Sequence, residues 1–244
     1  MSIKDLTQKS FSVLIIRSFG VLLLFGFTLF ITNFFTPENV GRYDFVRSTI
    51  MVLGGLALMG TNQSIIYYSG LLKARKSVES IRIIYFKMLR IIFALSLIIL
   101  GLFVGIFNEA TILQIFKSEE SFSLILKSIF TLIFFSTTML NIDTMRALEK
   151  TILSEMYRSL FRYLPVFVFA IILLKTNRQS LLVEAYLLGF ILLSIFSFVR
   201  VFALLSKLET PRDDSEKFSV KEIFKTSAPM ALSAIAYFIM QSID

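Results

Sequence analysis

The chain has 244 residues, of which 56% are hydrophobic, with a mean hydropathy of +0.78 and a formal net charge of +8. It contains no cysteine and no histidine, which excludes thiol nucleophiles, disulfides, histidine acid–base catalysis and Cys/His metal sites. This composition does not suit a soluble core, so we expect an integral membrane protein. Carboxylate or Ser/Lys chemistry remains possible, but the Asp and Glu residues lie mostly at loop edges, and we expect no metal, no cofactor and no catalytic residue.

Apolar stretches of about the length needed to cross roughly 30 Å of hydrocarbon recur along the chain, separated by short charged loops. We predict six spans and the start of a seventh: Phe11–Phe35, Thr49–Tyr68, Ile91–Phe107, Leu124–Ile142, Tyr163–Leu174, Leu181–Leu205 and Ser227–Asp244. The first lacks a small-residue cleavage site and stays as a membrane helix. The fifth is short, and an amphipathic run, Ile152, Leu153, Met156 and Leu160, predicts that it extends backwards.

The loops differ in charge on the two sides of these spans. Of the 25 Lys and Arg residues, nineteen lie on the side of the N-terminus and six on the other. Because cytoplasmic loops carry the excess of Lys and Arg, the bias predicts a cytoplasmic N-terminus. It also accounts for the net charge without a nucleic-acid partner, which we do not expect.

The organisation of the chain suggests half of a larger, all-α transporter. We interpret residues 1–206 as a six-span bundle, 207–226 as a cytoplasmic linker and 227–244 as the truncated start of a second bundle. Lys4-Asp5-Leu6 with Ser10 is similar to Lys221-Glu222-Ile223 with Ser227, at a constant offset of 217. We therefore expect a piece of a protein with about twelve spans or more, whose two bundles face a central cavity.

Three short motifs are similar to segments of one family. The run FFTPENVGRY, from Phe34 to Tyr43, resembles the "lgp-e-x-G-x-y" loop of polysaccharide biosynthesis flippases, members of the multidrug/oligosaccharidyl-lipid/polysaccharide exporter superfamily. The run LALMGTNQSI, from Leu56 to Ile65, resembles the family's "lxxlGlxxai" segment, and SAP at 227–229 with QSID at 241–244 resembles the opening of its seventh span. The best match is to O-antigen (O-unit) flippases.

The resemblance implies a function and a location. An undecaprenyl-pyrophosphate-linked oligosaccharide, used in lipopolysaccharide biosynthesis, would cross the bacterial inner membrane to the periplasmic leaflet by alternating access. A polysaccharide polymerase and a chain-length regulator are candidate partners. Such an anionic head needs a water-filled, cation-lined cavity, because hydrocarbon would leave its polar groups unsatisfied. No catalytic group is needed, so we expect no enzyme activity.

Arg17 is the first candidate for this cavity. It lies about two turns inside span one, where an arginine costs on the order of 2.5–3.5 kcal/mol on insertion scales. Facing a cavity, it can bind a pyrophosphate through two N–H groups. The alternative is that it snorkels to the cytoplasmic interface. The resemblance supports the cavity position, since family members carry an early arginine in span one followed by a glycine, which Gly20 matches.

Four further residues are cavity candidates with competing interpretations. Arg47 lines the cavity or pairs with Asp44, one turn earlier. Asn62 and Gln63 are adjacent amides that cannot share one helix face, so they contact substrate or bond to another helix. Arg90 opens span three and is a cavity residue or a topology signal.

Two acidic positions near span ends have mainly structural interpretations. Glu184, in the first turn of span six, suits the helix dipole and is our candidate for binding a coupling ion. Asn141 and Asp143 close span four, with Arg146 one turn later, and we interpret them as a helix-end anchor.

Other functions stay open. A cation-coupled multidrug exporter of the same superfamily would be expected to carry an acidic residue in span one. Span one here contains Arg17 and no carboxylate. A membrane enzyme such as a polysaccharide polymerase would be expected to have a large outer loop, whereas the outer loops here have about 12, 16 and 6 residues. A purely structural membrane subunit is also compatible with the sequence.

Overall fold

The computed structural model describes residues 3–209 and 218–242, and these residues form helices and turns without strands. Residues 210–217 of the predicted linker and residues 243 and 244 of the predicted seventh span lie outside the described residues. The helices are α1 (Ile3–Phe34), α2 (Pro37–Leu58), α3 (Thr61–Ala74), α4 (Ile81–Ile106), α5 (Glu109–Phe116), α6 (Ser121–Ala147), α7 (Thr151–Glu155), α8 (Leu164–Lys175), α9 (Leu182–Leu205) and α10 (Val220–Ser242).

Five helical stretches in the described part of the chain are long and apolar enough to cross a membrane: Thr7–Phe34, Val78–Ile106, Ser121–Ala147, Thr151–Lys175 and Gln179–Leu205. A sixth is present if α2 and α3 count as one span with a 41° bend. These findings confirm the all-helical class and are compatible with a multi-pass membrane protein. They also confirm that the fifth stretch extends backwards, to Thr151. Helix α10 covers the described part of the predicted seventh span, from Ser227 to Ser242.

The predicted span Thr49–Tyr68 is not one straight helix, because the backbone reverses its handedness inside it. Met59 and Gly60 have φ angles of 45° and 75°, which end α2 and restart the chain as α3. A Cβ on Gly60 would lie 2.3 Å from the carbonyl oxygen of Ser227 on α10. Glycine is therefore needed here both for the left-handed conformation and for the close approach of α10.

Helix α6 forms the centre of the bundle and packs against α2, α3, α4 and α9. Asn141 lies at this centre: its Oδ1 accepts from the Tyr85 hydroxyl of α4 at 2.6 Å, and its Nδ2 donates to Ser197 Oγ of α9 at 2.9 Å. All three residues are buried. The interpretation of Asn141 as a helix-end anchor is therefore wrong, because α6 continues to Ala147 and encloses it.

Helix α1 lies at the edge of the bundle, where it packs mainly against the stretch that contains α7 and α8. Its remaining surface carries exposed apolar side chains, among them Phe11, Phe19, Leu22 and Phe25. This edge position matters for the site, because one face of α1 borders the cavities described below while the other faces away from the bundle.

Candidate functional site

A cavity of about 590 Å³ lies between α1, the start of α3, the C-terminal half of α6 and the stretch from α7 to α8. We call it the arginine cavity. Its lining includes four arginines and two carboxylates: Arg17, Arg146, Arg158, Arg162, Asp143 and Glu155. With all six groups charged, the cavity carries an excess of two positive charges.

Arg17 enters this cavity from α1 and pairs with Glu155 of α7. Its Nε lies 3.1 Å from Glu155 Oε1 and its Nη2 lies 3.2 Å from Oε2, so the contact has two points. Ser159 donates its hydroxyl to the same Oε1 at 2.7 Å. The Glu155 side chain is 9% exposed and the Arg17 side chain is 66% exposed. The carboxylate is therefore held inside the protein, while most of the Arg17 surface remains accessible.

The position of Ser159 follows from an irregular turn and a glycine. After α7 the chain makes one π-helical turn, Met156–Leu160, in which the Phe161 amide donates to the Met156 carbonyl at 3.0 Å. A Cβ on Gly20 of α1 would lie 2.5 Å from Ser159 Cβ and 2.8 Å from its carbonyl oxygen. Only a glycine lets α1 approach this turn so closely, and this approach brings Arg17 within reach of Glu155.

Asp143 forms the second charged contact of the cavity. Its Oδ2 accepts from Asn62 Nδ2 at 3.2 Å, and its Oδ1 accepts from Nη2 of Arg158. Asp143 is buried, and the interpretation of it as a helix-end anchor is wrong because α6 runs on to Ala147. The two contacts join α6 to α3 and to the π-helical turn, and so hold the cavity walls in place.

Arg162 occupies an aromatic part of the lining. Its guanidinium carbon lies 5.5–5.9 Å from the ring centroids of Phe135, Tyr163 and Phe190. Such cation–π contacts stabilise a guanidinium at a partly desolvated position. Arg146, in contrast, is exposed at the rim. The cationic excess therefore extends from the rim to the aromatic interior.

A second cavity of about 380 Å³ lies further along α1, and we call it the Arg47 cavity. Thr28 and Thr32 of α1 face it, and Arg47 and Asp44 of α2 form an ion pair in its wall, with Nε and Oδ1 3.4 Å apart. Leu24 and Tyr163 line both cavities. The two cavities therefore lie along one face of α1 and adjoin each other at Leu24 and Tyr163.

The structure brings together three of the predicted site residues, since Arg17, Asn62 and Gln63 all line the arginine cavity. Gln63 also accepts a hydrogen bond from Ser233 of α10 at 3.1 Å. Arg47 lies in the neighbouring cavity, where the expected pair with Asp44 forms.

Two predicted residues lie elsewhere. Arg90 is exposed on α4 and lines neither of the two cavities. Glu184 of α9 pairs with Lys127 of α6, with Oε1 and Nζ 2.6 Å apart, and so links two helices rather than lining the arginine cavity. Among the residues that the structure describes, no group of three or more Asp or Glu side chains could hold a metal ion.

Sequence reasoning missed Glu155, Arg158, Arg162, Asp143 and Arg146 as cavity residues. A signal for the first three was present: Glu155, Arg158, Ser159 and Arg162 recur at the spacing of one helix face, opposite the apolar run from Ile152 to Leu160. The signal for Asp143 was weaker, because its partner Asn62 is 81 positions away.

Comparisons of the chain with protein-family models, with curated proteins and with solved structures found no match.

Proposed function

We propose that this chain forms the first six-span bundle of a two-bundle transporter, of about twelve spans or more, in the bacterial inner membrane with its N-terminus in the cytoplasm. Its substrate is an undecaprenyl-pyrophosphate-linked oligosaccharide, which it translocates by alternating access. The observation that carries the proposal is the cationic arginine cavity inside an apolar helical bundle.

The charge of the cavity suits a pyrophosphate head. Placing arginines inside the membrane span of an apolar bundle is unfavourable unless they are paired or serve an anionic ligand. Glu155 and Asp143 neutralise two of the four cavity arginines, and an excess of two positive charges is left. A pyrophosphate diester carries two negative charges and offers several acceptor oxygens to guanidinium groups. The ligand would therefore complete the charge balance of the site.

The edge position of α1 suits a substrate with a lipid tail. The head would occupy the arginine cavity while the polyprenyl chain stays in the bilayer beside the exposed apolar face of α1. The second cavity continues along the same helix, past Leu24 and Tyr163, and would receive the head on the other side of the bundle. The resemblance of the loop and span motifs to polysaccharide flippases agrees with this arrangement.

The cation-coupled multidrug exporter is the second candidate. Span one has no carboxylate, but Glu155 reaches α1 from α7 and so supplies an acid at that position of the cavity. The net positive charge of the cavity opposes a cationic drug, and for this reason we prefer the flippase.

Complementation tests the proposal in cells. The complete gene would be expressed in a strain that lacks its O-unit flippase and makes the matching repeat unit. Wild type should restore surface polysaccharide, Arg17→Ala should abolish it and Arg17→Lys should weaken it, because lysine cannot make the two-point contact. Arg82→Ala removes a cation that lines neither cavity and serves as the control. No restoration by a well-expressed wild type would contradict the proposal.

Ligand binding separates the two functions in purified protein. Isothermal titration with a short-chain prenyl pyrophosphate should show binding that Arg17→Ala and Arg158→Ala each weaken about tenfold, the cost of one charge-assisted contact. A lipophilic cation should bind weakly or not at all. Binding of the cation that Glu155→Gln abolishes, with no binding of the pyrophosphate, would favour the exporter.

A further inference from the structure

Two apolar grooves meet at Arg90, outside the cavities along α1. One, of about 390 Å³, lies between α4 and α6 and is lined by Phe86, Leu89, Phe93 and Ile133. The other, of about 630 Å³, lies between α4 and α10 and is lined by Ile91, Ala94, Leu95, Val220 and Phe224. Arg90 borders both grooves, and Lys221 borders the second.

Arg90 lies at a depth that suits a lipid headgroup. It is followed on α4 by the apolar stretch from Ile91 to Ile106, which at 1.5 Å per residue is about 24 Å long. This length covers most of the hydrocarbon thickness, so Arg90 marks the boundary where the phosphates of a bilayer lie. The α4–α10 groove continues from Arg90 into this apolar part of α4, past Ala94 and Leu95, whereas the α4–α6 groove extends along α4 from Phe86 to Phe93.

The charges at the head of the grooves are positive. Arg90 and Lys221 are both exposed, and neither forms an ion pair with a described residue. Lys87, one turn before Arg90, donates to the carbonyl of Phe218 at 2.6 Å and so fastens α4 to the start of α10. The neighbouring acid, Glu222, is engaged in capping α10, where it accepts from the Ser219 amide at 2.9 Å.

We propose that these grooves bind one anionic phospholipid, with its phosphate between Arg90 and Lys221 and one acyl chain in each groove. Two apolar grooves on either side of one arginine fit a molecule with two chains and one phosphate. The cations give preference for a net negative headgroup over a zwitterionic one. Free phosphate would fill neither groove. Arg90, which sequence reasoning assigned to the transport cavity or to topology, would thus hold a structural lipid that joins α10 to α4.

Native mass spectrometry of the purified chain tests the site, with dioleoyl phosphatidylglycerol and dioleoyl phosphatidylcholine as probes. Wild type should retain one phosphatidylglycerol per chain and much less phosphatidylcholine. Arg90→Ala and Lys221→Ala should each lower the affinity for phosphatidylglycerol about fivefold, the effect of one cation near an anionic lipid. Lys225→Ala is the matched control, because it removes the same charge one turn further along α10 from a residue that lines neither groove.

Ala94→Phe tests the groove without changing the charge. Ala94 is exposed in the α4–α10 groove, so a phenyl ring there should displace the chain and lower phosphatidylglycerol retention while the thermal unfolding temperature in lipid-free detergent stays unchanged. Three results would overturn the proposal. The first is equal retention of both lipids. The second is a loss of phosphatidylglycerol retention with Lys225→Ala as large as with Arg90→Ala. The third is a dimer that binds no lipid and that Ala94→Phe dissociates, which would make the groove an interface between copies.

Discussion

Arg17 and Glu155, 138 positions apart in the chain, form a two-point ion pair in which the Glu155 side chain is nearly buried and the Arg17 side chain is mostly exposed. The asymmetry has an energetic consequence. Removing Arg17 leaves a buried charge without its cation, whereas removing the charge of Glu155 leaves an arginine that water still reaches. The two sides of the pair should therefore respond differently to mutation.

We predict that Arg17→Ala lowers the free energy of unfolding by about 1–2 kcal/mol, less than for a fully buried pair because Arg17 is exposed. The double variant Arg17→Ala/Glu155→Gln should recover at least half of that loss, because the uncompensated charge is gone. Glu155→Gln alone should cost less than about 1 kcal/mol. Reversible unfolding by SDS in mixed micelles measures all three. An equal loss in the single Arg17 variant and the double variant would contradict a buried-charge penalty.

The close contact of α1 with the π-helical turn gives a second prediction. Gly20→Ala should lower the free energy of unfolding by about 1–3 kcal/mol, because its Cβ would meet backbone and side-chain atoms of Ser159 at 2.5–2.8 Å. It should also reduce the Arg17–Glu155 coupling energy in a double-mutant cycle. Gly26→Ala is the matched control on the same helix, since no atom of the described residues outside its own part of α1 lies within 4 Å of its added Cβ. Similar effects of the two alanines would show that helix propensity, and not contact, decides the result.

Hydropathy and charge were enough to predict the helical class and most of the apolar stretches. These properties depend on local composition, since each stretch must be apolar over its own length. The bend at Met59–Gly60 was not predictable in the same way. Gly60 is compatible with a bend, but nothing in the local sequence marks Met59, a residue with a Cβ, for the left-handed conformation.

The candidate site was predicted only in part. Arg17 stands out in sequence because an arginine inside a span is rare. Asp143 does not, because an acid near a predicted helix end looks like an ordinary anchor until α6 is found to continue past it. Glu155 was missed for a different reason: it lies inside the predicted backward extension of the fifth span, but that extension was inferred from its apolar residues alone. For Asp143, an error in a helix boundary became an error in the assignment of a charged residue.

The polar centre of the bundle gives a third prediction. Asn141→Ala should lower the free energy of unfolding by about 2 kcal/mol, because it leaves the buried Tyr85 hydroxyl and Ser197 without this partner. A double-mutant cycle with Tyr85→Phe should give a coupling energy of about 0.6 kcal/mol, the average for hydrogen bonds between membrane helices.

Asn33→Ala is the control for this substitution, because Asn33 is exposed and its side-chain amide donates to the Leu29 carbonyl of the same helix. Its effect should stay within about 0.5 kcal/mol. Two results would contradict the prediction: an equal loss in the free energy of unfolding for Asn33→Ala and Asn141→Ala, or no coupling energy in the cycle. Either would mean that the buried hydrogen bonds do not hold α4 and α9 to α6.

Gly60 gives the last prediction, because two independent reasons require glycine there. Its φ of +75° is strained for a residue with a Cβ, and that Cβ would lie 2.3 Å from the Ser227 carbonyl oxygen and 2.7 Å from the Ala231 amide nitrogen. Gly60→Ala should therefore lower the free energy of unfolding by about 2 kcal/mol or more. Gly101 lies in the interior of α4, and an added Cβ there meets no neighbouring helix of the described chain within 4 Å, so Gly101→Ala should be neutral or stabilising. Crosslinking of cysteines introduced at Ser64 and Ser227, whose hydroxyls lie 2.7 Å apart, should weaken in the Gly60 variant and persist in the Gly101 variant. Persistent crosslinking in both, with equal stability, would mean that α10 is held by its other contacts and that the turn tolerates a side chain.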